Sequence, residues 1–180
     1  MPKLSCGSAD QAIAPSVSAF MDMAGRPSAA ALFIGCHGGN AHYWPELVLN
    51  GSIKNYRTKT AHAGDTIVLR LAYHKRHWVS VTDETHKFKV SRTSGGGYSS
   101  AAFETATLGD EGWANSHHHL EGVPDIGTLT YSDAQINGQP LGHVLFLSRA
   151  VNRTSAGKLQ IKTGPLNSSG KVFRTYFKHS

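Results

Sequence analysis

A run of three histidines, His117, His118 and His119, followed by Glu121, is the densest group of side chains that could bind a metal ion. Imidazole nitrogens and carboxylate oxygens are ordinary zinc ligands. Successive residues of an extended segment point to opposite sides, so at most two of these histidines could reach one ion. No second ligand pair follows at a spacing typical of a metal site. We therefore predict no metal and no cofactor, and we interpret the run as a polar loop.

Nucleophilic, phosphate-binding and nucleic-acid-binding chemistry are each disfavoured. Cys36 and His37 are adjacent in a β-prone run and would face opposite ways, which argues against a Cys–His couple. The glycine-rich segment 93–100 lies between two strand patterns and lacks the helix N-terminus that holds a phosphate. The basic, aromatic segment 73–78 could stack on a nucleic acid. An exposed hairpin turn explains it more simply, and we predict no nucleic-acid partner.

The elements that would position functional side chains are short β-prone runs, which recur from residue 29 onward. In the run 65–73, Ile67, Leu69 and Leu71 fall on one face, as the period of a strand requires. About ten such runs, separated by turn residues, predict an all-β fold, an antiparallel β-sandwich of two packed sheets. A parallel α/β fold would need crossover helices, which the pattern lacks. Residues 1–28 are predicted to form a flexible N-terminal arm, and residues 29–180 the sandwich domain.

Composition is that of a basic, globular protein. The 180 residues suffice for one domain, with 18 Lys and Arg against 12 Asp and Glu and a formal net charge of +6. Eleven histidines would add positive charge in acid. No apolar run is long enough for a signal peptide or a membrane span, so we expect a soluble, cytoplasmic protein. Cys6 and Cys36 could form one disulfide, and the sequence leaves open whether they do.

Several segments resemble, in order, those of the glutamic peptidases (the eqolisin, or peptidase A4/G1, family). The resemblance spans roughly residues 30–178 and implies a concanavalin A-like sandwich with a substrate groove on a concave sheet. Members of this family are typically secreted. The matching segments are FIGCHGG (33–39), HYWPELVL (42–49), AGDTIVLRL (63–71), VSVTDETHKFKVS (79–91), SSAAF (99–103) and VPDIGTLTYSDAQING (123–138).

The family hydrolyses peptides with a glutamate that acts as a general base on water and a glutamine that stabilises the oxyanion. In the matching segments, Ala102 stands at the glutamate position. The strand that carries the glutamine is either deleted here or, if LFIG (32–35) is aligned with it instead, has Phe33 in place of the glutamine, and no glutamine occurs between residues 12 and 134. Glu104, two residues beyond Ala102, would point to the same side of a strand. It is the candidate for a relocated catalytic carboxylate.

The resemblance also implies a substrate cleft. Trp44 and Glu46 stand where the family has an aromatic residue and an acid, while His37 and His42 replace two acids. We expect these histidines to bind ligand or transfer protons near neutral pH. The candidate catalytic residues are Glu104, His42 and His37, and the candidate substrate-binding residues are Trp44, Glu46, Trp78 and Phe33.

These positions predict a divergent glutamic peptidase-like protein, an enzyme that uses the groove on a small molecule or peptide instead of ordinary acid peptidolysis. Two alternatives stay open. One is a ligand-binding β-sandwich without turnover, and the other is an active glutamic endopeptidase that uses Glu104. Oligomeric state and the identity of the ligand do not follow from the residues.

Overall fold

The computed structural model describes residues 1, 3–4, 6, 11–21, 27–74, 76–94, 103–112, 126–136, 138–143, 151–153 and 159–177. Nearly all of the regular structure there is β. The strands are β1 (Gln11–Met21), β2 (Pro27–His37), β3 (Asn40–Leu49), β4 (Ser52–Asn55), β5 (Ile67–His74), β6 (Arg76–Asp83), β7 (Phe88–Thr93), β8 (Phe103–Gly112), β9 (Thr128–Tyr131), β10 (Gln135–Ile136), β11 (Gln139–Pro140), β12 (Val151–Arg153), β13 (Leu159–Thr163) and β14 (Phe173–Phe177), with one 3-10 turn at Leu141–His143.

The strands form antiparallel sheets. The main sheet has five strands in the order β4-β3-β2-β1-β8, a second sheet has the order β5-β6-β7, and a third has the order β12-β13-β14-β9. Every strand pair in the described residues is antiparallel. The predicted all-β, antiparallel β-sandwich is therefore confirmed. No helix among these residues is long and apolar enough to cross a membrane.

The hydrophobic core lies between the main sheet and the β5-β6-β7 sheet, whose strands pack against β1, β2 and β3. Leu32, Ile34 and Leu47 of the main sheet and Val79 and Val81 of β6 are all fully buried. Burying one such side chain stabilises the fold by about 1.5 to 3 kcal/mol. Since side chains alternate along a strand, the residues between these apolar ones lie on the outer face of each sheet.

The N-terminal segment departs from the predicted flexible arm. Residues 11–21 form β1, which lies between β2 and β8 inside the main sheet. Ile13 pairs with Ile34 of β2 and is fully buried. β2 itself begins at Pro27, so the predicted boundary at residue 28 falls inside the sandwich. The segment was misjudged because its many small residues give little contrast between a buried and an exposed face.

A disulfide between Cys6 and Cys36 joins the first residues of the chain to the end of β2. Leu4 is buried in the same core, and its N–H donates a hydrogen bond to the hydroxyl of Tyr43 at 3.0 Å. The described residues before β1 are thus attached to the main sheet by a covalent bond, a hydrogen bond and an apolar contact.

Candidate functional site

The outer face of β2 and β3 carries most of the predicted cleft residues. A two-residue turn at Gly38 and Gly39, both with positive φ, joins the strands and pairs Phe33 with Trp44. Residues opposite each other in an antiparallel pair share a face, and so do residues two apart. Phe33, His37, His42, Trp44 and Glu46 therefore lie together on what we call the aromatic face, away from the core.

Trp44 is the centre of the aromatic face. Its ring stacks on that of Phe33, with centroids 4.0 Å apart and planes 10° from parallel. The His42 ring meets it edge-on at 5.7 Å, and the Arg57 guanidinium carbon lies 5.3 Å from its centroid. The His37 and His42 rings are 6.4 Å apart. The face thus combines an aromatic surface with one guanidinium cation and two imidazoles.

The indole nitrogen of Trp44 is buried and has no hydrogen-bond partner among the described residues. A buried donor left without an acceptor costs about 1 to 3 kcal/mol. An added hydrogen-bond acceptor would therefore remove an energetic cost at the indole N–H of Trp44.

Glu46 is the carboxylate of this face. Its side chain is largely buried, and in register it stands opposite Ala31 of β2 and Asn55 of β4. Opposite residues of an antiparallel pair have Cβ atoms about 4.5 to 5.5 Å apart. A carboxyl and an amide are therefore neighbours at the β4 edge of the main sheet.

Glu104 lies in β8, separated from β2 by β1. The register between β1 and β8 shifts between Phe20 and Met21, and Glu104 lies at this irregularity. On its other side, Phe20 pairs with Pro27 at the start of β2. His37 lies at the opposite end of β2. At the usual rise of a strand, it is about 33 Å from Pro27. The backbone register does not bring Glu104 together with His37 or His42.

Trp78 lies on a different surface from Trp44. It is in β6, where Val79 and Val81 point into the core, so Trp78 faces the outer side of the β5-β6-β7 sheet. There the Lys89 ammonium nitrogen lies 4.9 Å from its ring centroid. Other residues singled out from the sequence fall outside the described residues, namely Ala102, His117, His118, His119, Glu121 and segment 95–100.

A second constellation, which the sequence reasoning missed, combines His62, Asp65, Asp83 and His86; we call it the histidine–aspartate cluster. Asp65 and Asp83 are 4% and 0% exposed, whereas both histidines are exposed. Asp65 Oδ2 accepts the backbone N–H of His62 at 2.6 Å and lies 3.1 Å from His86 Nδ1. In the sequence, the cluster corresponds to two pairs of a histidine and an aspartate three residues apart, His62-x-x-Asp65 and Asp83-x-x-His86.

The Asp65 carboxyl is held in its charged form. Burial would raise its pKa, but the hydrogen bond from the His62 backbone and the interactions with Asp83 and His86 together lower that pKa below its ordinary value. The cluster therefore places the Asp65 carboxylate beside the buried carboxyl group of Asp83, with two exposed imidazoles at its opening.

Comparison with known proteins identifies a fold and no closer relationship. No family model and no curated protein sequence matches the chain. Two solved structures are similar to it: aspergilloglutamic peptidase from Aspergillus niger, with a TM-score of 0.70, 14% identity and coverage of 93% of this chain and 99% of that one, and Scytalido-glutamic peptidase with a peptide-based transition state analog, with a TM-score of 0.63, 15% identity and coverage of 99% and 88%. The chain has the antiparallel β-sandwich fold found in the glutamic peptidases.

Proposed function

We propose that the protein binds a peptide or a small organic acid on the aromatic face and does not hydrolyse peptides by the glutamic peptidase mechanism. The observation that carries this proposal is the buried indole nitrogen of Trp44, which lacks an acceptor among the described residues. A ligand carbonyl or carboxylate oxygen would satisfy that donor after a movement that exposes it, because the nitrogen is buried in this structure. The stacked Phe33 and Trp44 rings offer an apolar surface for a neighbouring planar or aliphatic group.

Charge supports a ligand that carries an anionic group. The Arg57 guanidinium lies over Trp44, and the imidazoles of His37 and His42 lie along the same face. A carboxylate bound near the indole would gain a charge-assisted interaction with Arg57. We therefore propose that carboxylate ligands bind more tightly than matched amides.

The indole N–H resonance of Trp44 provides a direct test. We expect acetylated dipeptides with a free carboxylate to shift this resonance in ¹H–¹⁵N spectra and to leave that of Trp78 unchanged. Trp44→Phe keeps an aromatic ring but removes the donor, which both assigns the signal and should weaken binding about 10- to 150-fold, the value of one hydrogen bond to a charged group. Arg57→Gln should remove the preference for the acid over the amide. If no dipeptide of a varied panel shifts the Trp44 signal, or if the shifts follow Trp78, the proposal fails.

Loss of the family's chemistry is a separate prediction. Neither alignment of the matching segments supplies the family's glutamine, and Ala102 stands at its glutamate position. We therefore expect no cleavage of denatured casein at about pH 3, where the usual carboxyl group is protonated. Aspergilloglutamic peptidase serves as the positive control in the same gel assay. Cleavage that disappears in Glu104→Gln would instead support an endopeptidase that uses Glu104.

A second candidate function is hydrolysis of the bound ligand with Glu46 as the general base. The observation in its favour is the cross-strand pairing of Glu46 with Asn55, a carboxyl beside an amide on the face that carries Trp44. Turnover of the dipeptide panel near neutral pH that is abolished by Glu46→Gln, but retained in Glu104→Gln, would favour this enzyme over a binding protein.

The disulfide bears on location. Disulfides persist in oxidising compartments and are rare in the cytosol. We propose that the protein works in an oxidising compartment, in contrast to the cytoplasmic location expected from the lack of a recognisable signal peptide. Detection of the Cys6–Cys36 bond in protein isolated from its native source, with free thiols blocked at lysis, would test this.

A further inference from the structure

We propose that the histidine–aspartate cluster, His62, Asp65, Asp83 and His86, binds one divalent transition metal ion, with Zn²⁺ the best match to its ligands. Two imidazole nitrogens and two carboxylates form a borderline nitrogen and oxygen donor set, which zinc prefers over the purely oxygen sites of calcium or magnesium. This site uses none of the residues of the aromatic face and does not depend on the proposed function.

The distances between donor atoms fit a small ion. Asp65 Oδ2 lies 3.1 Å from His86 Nδ1 and 3.7 Å from His62 Nδ1, and His86 Nδ1 lies 3.4 Å from Asp83 Oδ2. In a tetrahedral zinc site with bonds of about 2.0 to 2.1 Å, neighbouring donor atoms are about 3.3 to 3.4 Å apart. The donors of His62, Asp65 and His86 all lie within 4.8 Å of one another. Small rotations of the two exposed histidines would bring the donors to ligand positions.

Asp83 supplies independent support. Its side chain is fully buried, and its Oδ1 accepts the backbone N–H groups of Thr85 and His86 at 2.8 and 2.9 Å. Its Oδ2 is buried and receives no hydrogen bond from the described residues, although it faces His86 Nδ1. A buried carboxylate oxygen without a donor is costly, and a metal cation at this point would compensate it.

The backbone holds the ligands in place before any ion arrives. The turn that carries His62 and Asp65 and the turn that carries Asp83 and His86 are joined by Thr66 N–H to Thr85 Oγ1 at 3.0 Å and by Glu84 N–H to the Thr66 carbonyl at 2.9 Å. Hydrogen bonds that orient the ligands of a metal raise its affinity. The exposed histidines leave the site open to solvent, so an ion can enter and a water or a small ligand can complete its coordination.

The simpler explanation is that both aspartates only close their turns, with the histidines as hydrogen-bonding neighbours. The amino group of Met1 also lies near and interacts electrostatically with Asp65 and Asp83, although its hydrogen bond, at 2.6 Å, goes to the Asp65 backbone oxygen. This explanation accounts for Asp83 Oδ1 but leaves Oδ2 without a hydrogen bond, with His86 Nδ1 3.4 Å away. It also predicts no specific metal binding, so a zinc-binding experiment distinguishes this explanation from a metal site.

The test is calorimetric titration of ZnCl₂ into the full-length, untagged chain at neutral pH after dialysis against chelator. His117, His118 and His119 are first replaced by alanine, because this run could bind zinc by itself. We expect one ion per chain with micromolar or tighter affinity. His62→Ala and His86→Ala should each weaken binding about 100-fold or more, since even groups outside the coordination sphere contribute about 10- to 100-fold. His143→Ala, an exposed histidine elsewhere in the chain, is the matched control and should change nothing.

Thermal unfolding gives a second readout that does not depend on calorimetry. Zinc should raise the melting temperature of the parent and of His143→Ala, because an ion that binds only the folded state stabilises it. The shift should disappear in His86→Ala, whose melting temperature without zinc is measured alongside to verify folding. Stoichiometric zinc binding that survives both His62→Ala and His86→Ala, or no binding by the parent, overturns the proposal.

Discussion

Replacing Ile13 with alanine is expected to lower the free energy of unfolding by about 2 to 5 kcal/mol, the usual cost of truncating a large side chain in a packed core. Ile13 is fully buried and pairs with Ile34 of the neighbouring strand β2. Truncation would leave a cavity between β1 and the strands packed on it. Urea denaturation followed by circular dichroism measures the change.

Ile53→Ala is the matched control for this measurement, since the same atoms are removed from an exposed position. Ile53 lies in the edge strand β4 and is 59% exposed. Its truncation should change the free energy of unfolding by no more than about 0.5 kcal/mol. Equal, small effects of both substitutions would mean that the N-terminal segment contributes little to the fold, as a flexible arm would.

Removing the disulfide is expected to lower the free energy of unfolding by about 2 to 4 kcal/mol, because the bond restricts the unfolded chain. Cys6 and Cys36 are 30 residues apart, so the bond closes a loop of substantial length. The double replacement Cys6→Ala and Cys36→Ala, compared with the parent in urea denaturation, gives the value. Alanine is preferred to serine because Cys36 is buried and a hydroxyl there would add its own desolvation cost.

A reducing agent controls for effects of the substitutions themselves. It should destabilise the parent by a similar amount and leave the doubly substituted protein unchanged. If the reducing agent affects both proteins equally, the stabilisation does not come from the Cys6–Cys36 bond.

Strands with strong contrast between their faces were predictable from the sequence. In β14, Phe173, Thr175 and Phe177 are buried and the two residues between them are exposed, which is the alternation that predicts a strand from sequence. The sequence of β1 lacks this contrast. Most of its residues are small, and it pairs with Ala29, Ala30 and Ala31 of β2, so no apolar stripe is visible in the sequence.

The two candidate sites differ in how far sequence could reach. Alternation alone places Trp44 and Glu46 on one face, and the two-residue Gly38–Gly39 turn fixes the pairing of Phe33 with Trp44. The histidine–aspartate cluster depends on the β5–β6 register, which pairs Ile67 with Asp83. The connection between these strands lies within HKRH (74–77), which contains no glycine, proline or asparagine that would indicate a turn type. The register of the hairpin could therefore not be predicted from the sequence. Glu104 is a candidate only because it lies two residues beyond Ala102. That spacing does not determine which residues of the neighbouring strands lie beside it.

The Cys6–Cys36 bond closes a covalent ring that contains all of β1 and nearly all of β2. A single proteolytic cut within this ring would produce two polypeptides that remain joined through the bridge. They would separate on a gel only after reduction. β1, an interior strand of the main sheet, could therefore lose its chain continuity with β2 and still be retained in the molecule.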